Sequence, residues 1–315
     1  MKLQVTAVRA AAWDIRSIEL RDRQDGELPA FTPGAHLRVQ IALADGSVAR
    51  REYSLVNDPS ERTRYEVAVL RARGGRGGSA AMHALRVGDV LDVSAPVNAF
   101  PLVADAREHL LIAGGIGITP VLCMARALAA AGASMSLHYS ARTRDNMAYR
   151  DEAAALPGSQ LYCDEGDPTR GLPLRDLLSK PRAGRHLYVC GPKTLIAAVL
   201  EQAAAFDWPA AQVHQESFDG AVALSSDRPI RLHLKSSGRS IDVAADETIL
   251  EALLREGLDP LFDCRRGECG MCVTDVLGGT PDHRDHVLTQ REHEGGRVIC
   301  TCVSRALSPE LVLDL

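Results

Sequence analysis

The residues with the most specific chemistry are a group of cysteines near the carboxyl end. Cys264-Arg265-Arg266-Gly267-Glu268-Cys269-Gly270-Met271-Cys272 has the spacing C-x4-C-x2-C, and Cys302 follows after 29 further residues. A [2Fe-2S] cluster takes four thiolates, two for each iron, and one loop plus a returning strand supplies such a set. Gly267 and Gly270 let the loop curl tightly and turn its amides toward sulfur, which stabilises added negative charge. Structural zinc is the alternative, but it usually uses two separated C-x2-C pairs, whereas the first interval here is four. Cys300 competes for the fourth position. Residues two apart on a strand share a face, so alternation does not choose between Cys300 and Cys302. Cys123, Cys163 and Cys190 stand apart, and Cys123 reads as a core residue of an apolar helix.

Four other stretches suit nucleotide chemistry. Gly114-Gly115-Ile116-Gly117-Ile118-Thr119-Pro120 follows a strand and opens a helix, where glycines admit a ligand to the backbone and the helix start favours negative charge. The third glycine of G-x-G-x-x-G is missing, so a plain tight turn reads the same way. Cys190-Gly191-Pro192 repeats the arrangement at a later strand end. Ser140-Ala141-Arg142-Thr143-Arg144 brings two arginines that suit phosphate or ribose, or stand as solvated charges. Gly74-Gly75-Arg76-Gly77-Gly78-Ser79 is either a phosphate cradle or a flexible loop. In Arg51-Glu52-Tyr53-Ser54, strand alternation puts Arg51 and Tyr53 on one face, where an aromatic beside a cation can hold a flavin.

The elements that would carry these residues fall into three groups. Short strands are expected at 3–10, 15–20, 36–42, 50–56, 65–70 and 90–94, separated by turns such as Thr32-Pro33-Gly34 and Ala44-Asp45-Gly46; this spacing suggests an antiparallel barrel. From about Asp105, strands at 109–113, 134–140, 160–164, 186–190 and 212–215 alternate with helices, the clearest at 119–131 and 192–205. Thr119 is the expected N-cap of the first, with Pro120 at its first helical position. Such alternation implies a parallel sheet covered on both faces. A polar connector, 220–228, leads to strands at 230–235 and 239–243 and a helix at 247–256. The expected divisions are 1–104, 105–222 and 228–315.

The 315 residues carry a formal charge of −5, with 46% hydrophobic and 24% charged residues, which fits soluble domains and lacks the basic footprint of a nucleic-acid binder. The amino terminus has no apolar signal region. The most membrane-like stretch, 110–133, is broken by Gly114, Gly115, Gly117 and Pro120 and reads as a strand then a helix, so no membrane span is expected. A cytoplasmic location follows, where stable disulfides are rare and clustered cysteines call for a metal or thiol role.

Taken in order, these motifs resemble the phthalate dioxygenase reductase family, which includes vanillate demethylase reductases. The resemblance runs along nearly the whole chain and also takes in Asp282-His283-Arg284-Asp285 and Cys302-Val303-Ser304-Arg305-Ala306. It implies a multidomain protein of all-β and α/β parts: an antiparallel β-barrel flavin domain, a parallel-sheet α/β nucleotide domain and a C-terminal β-grasp plant-type ferredoxin domain. By the same resemblance Arg51, Tyr53 and Ser54 contact FMN, and Arg76, Gly77 and Ser79 hold its phosphate. Gly114, Gly115, Gly117, Thr119, Cys190, Gly191 and Pro192 bind NADH, Phe218 covers the flavin, and Cys302 completes the cluster with Cys264, Cys269 and Cys272; Arg142, from its residue type alone, is a further candidate for the cofactor. The implied activity is that of an NADH-dependent oxidoreductase with hydride transfer near Ser54, Thr119 and Phe218, no acid–base residue, and electrons delivered from the cluster to a separate oxygenase by a monomeric reductase. With four cysteines filling the cluster site, His283 and His286 are left structural or surface-facing. Asp164-Glu165 favours NADH, whereas Arg142 and Arg144 would suit the 2′-phosphate of NADPH. An FAD reductase serving another acceptor, and a non-enzymatic electron carrier or redox sensor, are the competing readings.

Overall fold

The computed structural model describes residues 1–72, 77–218, 223–267, 269–285 and 287–315, and these fall into two compact units: Met1–Pro192 with Gln202–Glu216, and Lys193–Glu201 with Ser217–Leu315. None of the described helices is long and apolar enough to cross a membrane.

The first unit begins with β1 (Lys2–Ala12), β2 (Ile15–Asp22), β3 (His36–Ala42), β4 (Val48–Ser54), β5 (Tyr65–Leu70), the short helix α1 (Gly78–Ala84) and β6 (Val90–Val93). Its six strands follow the order β4-β3-β6-β1-β2-β5 and every neighbouring pair is antiparallel. The two edges meet just beyond β4, where Leu55 bridges Val67 and the Val56 N–H donates to the Glu66 carbonyl at 2.9 Å. That pairing removes the open edges and curls the sheet into a barrel. Alternate residues, among them Leu3, Val5, Ile18, Leu20, Leu37, Val39, Val67 and Val69, fill the core, and Met82 of α1 is buried with them.

The chain then alternates as expected: β7 (Glu108–Gly114), α2 (Ile118–Ala130), β8 (Met135–Ala141), α3 (Arg150–Ala155), β9 (Ser159–Cys163), α4 (Leu174–Leu178), β10 (Arg185–Cys190), α5 (Lys193–Ala205) and β11 (Val213–Glu216). The five parallel strands run in the order β11-β10-β7-β8-β9. The order reverses between β7 and β10, the switch point where open α/β sheets bind ligands. One expectation changes here. Thr119 is not the N-cap of α2: a 3-10 turn over Gly115–Gly117 runs directly into the helix, Gly117 caps it, and the Thr119 hydroxyl donates back to the Ile116 carbonyl at 3.0 Å. Pro120 is tolerated inside the first turn because amides there have no intrahelical partner.

The second unit carries β12 (Ile230–Leu234), β13 (Ser240–Val243), α6 (Ile249–Arg255), β14 (Val273–Gly278), β15 (Pro281–Asp282), α7 (Gln290–Gly295), β16 (Val298–Cys300), β17 (Arg305–Ala306) and β18 (Glu310–Leu313). Its main sheet, β13-β12-β18-β14-β16, is antiparallel except for the parallel pair β12–β18. The apolar face of α6 (Ile249, Ala252, Leu253) joins Leu232, Leu234, Ile241, Val243, Leu311 and Leu313 in one core, the β-grasp arrangement. Thr248 and Glu251 close a capping box, which starts α6 two residues later than the apolar pattern suggests.

Gly34, in the turn between β2 and β3, has φ +93°, and a Cβ there would stand 2.0 Å from the Phe100 carbonyl oxygen and 3.0 Å from Met124 Cε. Gly46 has a similar φ of +83° with open space around it. Gly34→Ala is therefore expected to lower unfolding free energy by about 3 kcal/mol or more, adding overlap to backbone strain, and Gly46→Ala by about 1 kcal/mol. Denaturant unfolding of the two variants, followed by flavin fluorescence and circular dichroism, checks the contrast.

Candidate cofactor and metal sites

In the barrel, Arg51, Tyr53 and Ser54 lie along β4. Tyr53 pairs with Leu37 and packs against the barrel core, and burial raises its phenol to about 12, so the ring is neutral. Arg51 lies across the start of α1: a Cβ on Gly78 would stand 3.0 Å from its Nε and 3.1 Å from its Cγ. The missing side chain at Gly78 thus lets a guanidinium from the barrel wall meet a helix start, a combination suited to phosphate. Gly77, with φ +81°, turns the chain into that helix, and Ser79 Oγ accepts from the Ala72 N–H at 3.1 Å. Arg76 lies outside the described residues. Ser54 is buried at the end of β4, opposite His36.

The two glycine motifs of the nucleotide sheet meet backbone to backbone. A Cβ on Gly117 would stand 2.3 Å from the Cys190 carbonyl oxygen and 2.6 Å from the Gly191 nitrogen. Gly114 ends β7, Gly115 has φ +53°, and Pro192 precedes α5, so Gly114, Gly115, Gly117, Thr119, Cys190 and Gly191 gather at the switch point. The sequence suggests glycine at 117 for ligand approach, and the structure adds a packing requirement. Glu216, which the sequence reading passed over, is buried in register with Cys190, with Oε2 4.0 Å from the Cys190 sulfur. Its position one residue beyond the expected strand 212–215 was the available signal. Burial first, then this carboxylate, hold the Cys190 thiol far above the ordinary range.

Arg142 is exposed at the end of β8, and its carbonyl accepts from the Glu165 N–H at 2.8 Å, so the basic and acidic candidates for the ribose stand side by side. Glu165 is ion-paired to Arg170 at 2.5 Å. Arg144 instead lines a cleft of about 540 Å³ with Arg9, Arg64, Arg126 and Tyr149. Phe218 is half-buried and belongs to the second unit, directly before residues 219–222, which lie outside the described set.

In the second unit the cysteine thiols form a connected set. Cys269 hydrogen-bonds with Cys264, Cys264 with Cys302, and Cys302 with Cys272, while Cys300 reaches Cys272. Hydrogen bonds donated by Cys300 and Cys302 lower Cys272 to about 3; donating to Cys272, and for Cys302 also to Cys264, raises the Cys300 and Cys302 thiols above their ordinary range. Amides point inward as well: the Arg266 N–H donates to Cys264 Sγ at 3.4 Å, and the Gly267 amide faces Cys302. Gly267 has φ +75°, and a Cβ there would stand 2.7 Å from Val303 Cγ2 and 2.9 Å from Asp285 Cα, so only glycine lets the loop sit so deep. Soft sulfur donors joined in sequence and supplied with amides fit a [2Fe-2S] cluster. His283, expected to be structural or surface-facing, is turned inward, and His286 lies outside the described residues. The other family-like residues act as scaffold. Arg284 pairs with Asp227 and Asp282, and buried Arg305 donates to the carbonyls of Glu247, Arg228 and Ala244.

Known proteins match these parts in the same order. Residues 2–101 match the oxidoreductase FAD-binding domain family, 94–213 the N-terminal domain of dimethylamine monooxygenase subunit DmmA-like proteins, and 232–307 the 2Fe-2S iron-sulfur cluster binding domain. The chain is 41% identical to phthalate dioxygenase reductase of Burkholderia cepacia, covering 100% of this chain and 97% of that one. It is 42% identical to vanillate O-demethylase oxidoreductase of Pseudomonas putida over 96% of each. A solved phthalate dioxygenase reductase, described as a modular structure for electron transfer from pyridine nucleotides to [2Fe-2S], superposes with a TM-score of 0.69 at 40% identity, over 100% of this chain and 98% of the other.

The buried thiols away from the cluster make a prediction of their own. Burial raises Cys123 to about 12 and Cys190 well above its ordinary value, so both are protonated and unreactive at pH 8, whereas Cys163 is half-buried. Iodoacetamide at pH 8 is expected to alkylate Cys163 in the native protein and to reach Cys123 and Cys190 after unfolding, as read by peptide mass mapping.

Proposed function

The chain belongs to the phthalate dioxygenase reductase family, and from that membership we propose that it is the reductase component of a Rieske-type oxygenase system. It is an NADH-dependent flavin iron–sulfur oxidoreductase that passes electrons to a separate oxygenase. The observation that carries this reading is the connected thiol set Cys269–Cys264–Cys302–Cys272 on the same chain as a flavin-type barrel and a nucleotide-type switch point. When bound, the flavin accepts hydride from the nicotinamide and the cluster accepts electrons singly, which converts a two-electron donor into a one-electron supply.

The chain's own residues bind and orient these groups. Arg51, with Arg76, Gly77 and Ser79, holds the FMN phosphate; Tyr53, Ser54 and Phe218 border its ring. Gly114, Gly115, Gly117, Thr119, Cys190, Gly191 and Pro192 shape the nicotinamide crevice, and Arg142 serves the dinucleotide beyond it. No side chain needs to act as an acid or base. Cys264, Cys269, Cys272 and Cys302 ligate the cluster, and Cys302 is preferred over Cys300 on the family-like stretch Cys302-Val303-Ser304-Arg305-Ala306. We further propose domain limits of 1–104, 105–222 and 228–315, a monomer, and a cytoplasmic location. The names of the relatives point to aromatic acids or methylated substrates for the partner oxygenase.

FMN is the flavin of this family, and the mass of the flavin released on denaturation tests it; FAD would overturn that assignment. NADH-driven reduction of ferricyanide and cytochrome c by the purified protein tests the activity, and its failure would end the proposal. Cys302→Ser is expected to abolish the EPR signal of the reduced cluster and at least ten-fold of cytochrome c reduction while sparing ferricyanide reduction through the flavin. Cys300→Ser is expected to retain the signal; the reverse result would move the fourth ligand by two residues.

A further inference from the structure

Beside the cysteine loop, two imidazoles and a carboxylate converge in a way that electron transfer does not require. Ligand atoms of His283, Asp285 and His293 all lie within 4.8 Å of one another. His293 Nε2 is 3.3 Å from Asp285 Oδ2, and His283 Nδ1 is 3.7 Å from Asp285 Oδ1. The Asp285 carboxylate is fully buried, and no Lys or Arg is paired with it among the described residues. Its oxygens accept from the Leu288 N–H at 2.9 Å and the Ser304 hydroxyl at 3.2 Å, which leaves lone pairs for another partner. The His283 side chain is 91% buried, and neither ring nitrogen has a hydrogen-bond partner among the described residues. Leaving two such atoms unsatisfied is costly, and so is a buried carboxylate without a nearby cation.

From this geometry we infer that His283, Asp285 and His293 form a second metal site, separate from the cluster, that takes a divalent transition ion of the zinc class. Two neutral imidazoles and one carboxylate are an ordinary donor set for such an ion, with water completing the shell. Burial and the His293 ring keep His283 below the usual histidine range, which leaves its lone pair available. The two rings are stacked, with centroids 4.5 Å apart and planes 18° from parallel, so binding requires one of them to turn. His293 is the one free to do so. It projects from α7 with about a third of its side chain exposed, whereas His283 is enclosed. The 4.8 Å spread would then contract toward the roughly 3.3 Å donor separations of a tetrahedral site. The bound ion would clamp α7 to the segment whose Asp285 backs Gly267 of the cysteine loop.

The experiment uses the full-length holoenzyme dialysed against buffered micromolar Zn²⁺, with iron and zinc counted by atomic emission. One zinc per two irons is expected, with iron fully retained. His293→Gln, on an exposed helix face, and His283→Asn are each expected to weaken zinc uptake on the order of 100-fold or more, beyond the loss known for outer-shell partners, while visible absorbance shows the cluster intact. Equal uptake by wild type and His293→Gln, uptake matched by iron loss, or no uptake would each overturn the site.

Discussion

The approach of the Gly117 turn to the Cys190–Gly191 peptide is the contact on which the reductase half depends. It sits where β7 and β10 part, and it leaves no room for a side chain. Because the turn runs without a break into α2, the same contact fixes that helix. From α2, Cys123 donates to the Asn57 carbonyl at 3.3 Å and Arg126 to the Val56 carbonyl at 2.6 Å. Val56 and Asn57 continue the strand that carries Arg51, Tyr53 and Ser54, and Asn57 Oδ1 accepts from the Glu66 N–H at 2.9 Å where the barrel closes. The glycine-lined switch point and the strand proposed to carry the flavin are thereby set against each other through two turns and one helix. Hydride transfer depends on such positioning, since misplacement by about 1 Å costs rate steeply.

The cluster side solves its problem differently. Among the described residues its loop has no helix or strand, so its shape comes from what surrounds it. Asp285 ties Leu288 to Ser304, Thr301 donates to the Cys272 carbonyl at 3.2 Å, and Arg305 gathers three carbonyls from the connector and the start of α6. Polar side chains buried for such purposes stay because each has its partners, and a half-satisfied network would loosen the loop. His283 is the exception that the second metal site would repair.

Much of this was legible in the sequence. Strand and helix order as far as α6 followed from alternation, and the cysteine spacing pointed to the cluster. What escaped has identifiable reasons. Thr119-Pro120 has the pattern of an N-cap, but a 3-10 turn moved the helix start forward, and only the neighbouring strand end dictates that turn. Beyond its place after a strand, Glu216 has no local signal because its meaning lies in register with Cys190, a residue 26 positions away. Cys300 and Cys302 are equivalent by alternation, and both lie close to Cys264 and Cys272, so spacing alone could not choose between them. The inward turn of His283 depends on Asp285 and α7, and it has no local signature.

The packing of α2 onto the barrel also bears on how reductases of this kind exchange parts during evolution. The sequence changes character near residue 105, which marks an inviting point for recombination. Yet Asn57 and Cys123, Val56 and Arg126, and Glu66 and Tyr149 are joined across that point, the last by a 2.8 Å hydrogen bond. A crossover there would inherit one member of each pair from each parent, and matched pairs would be lost together. Barrel and nucleotide sheet are therefore inherited most safely as a single cassette.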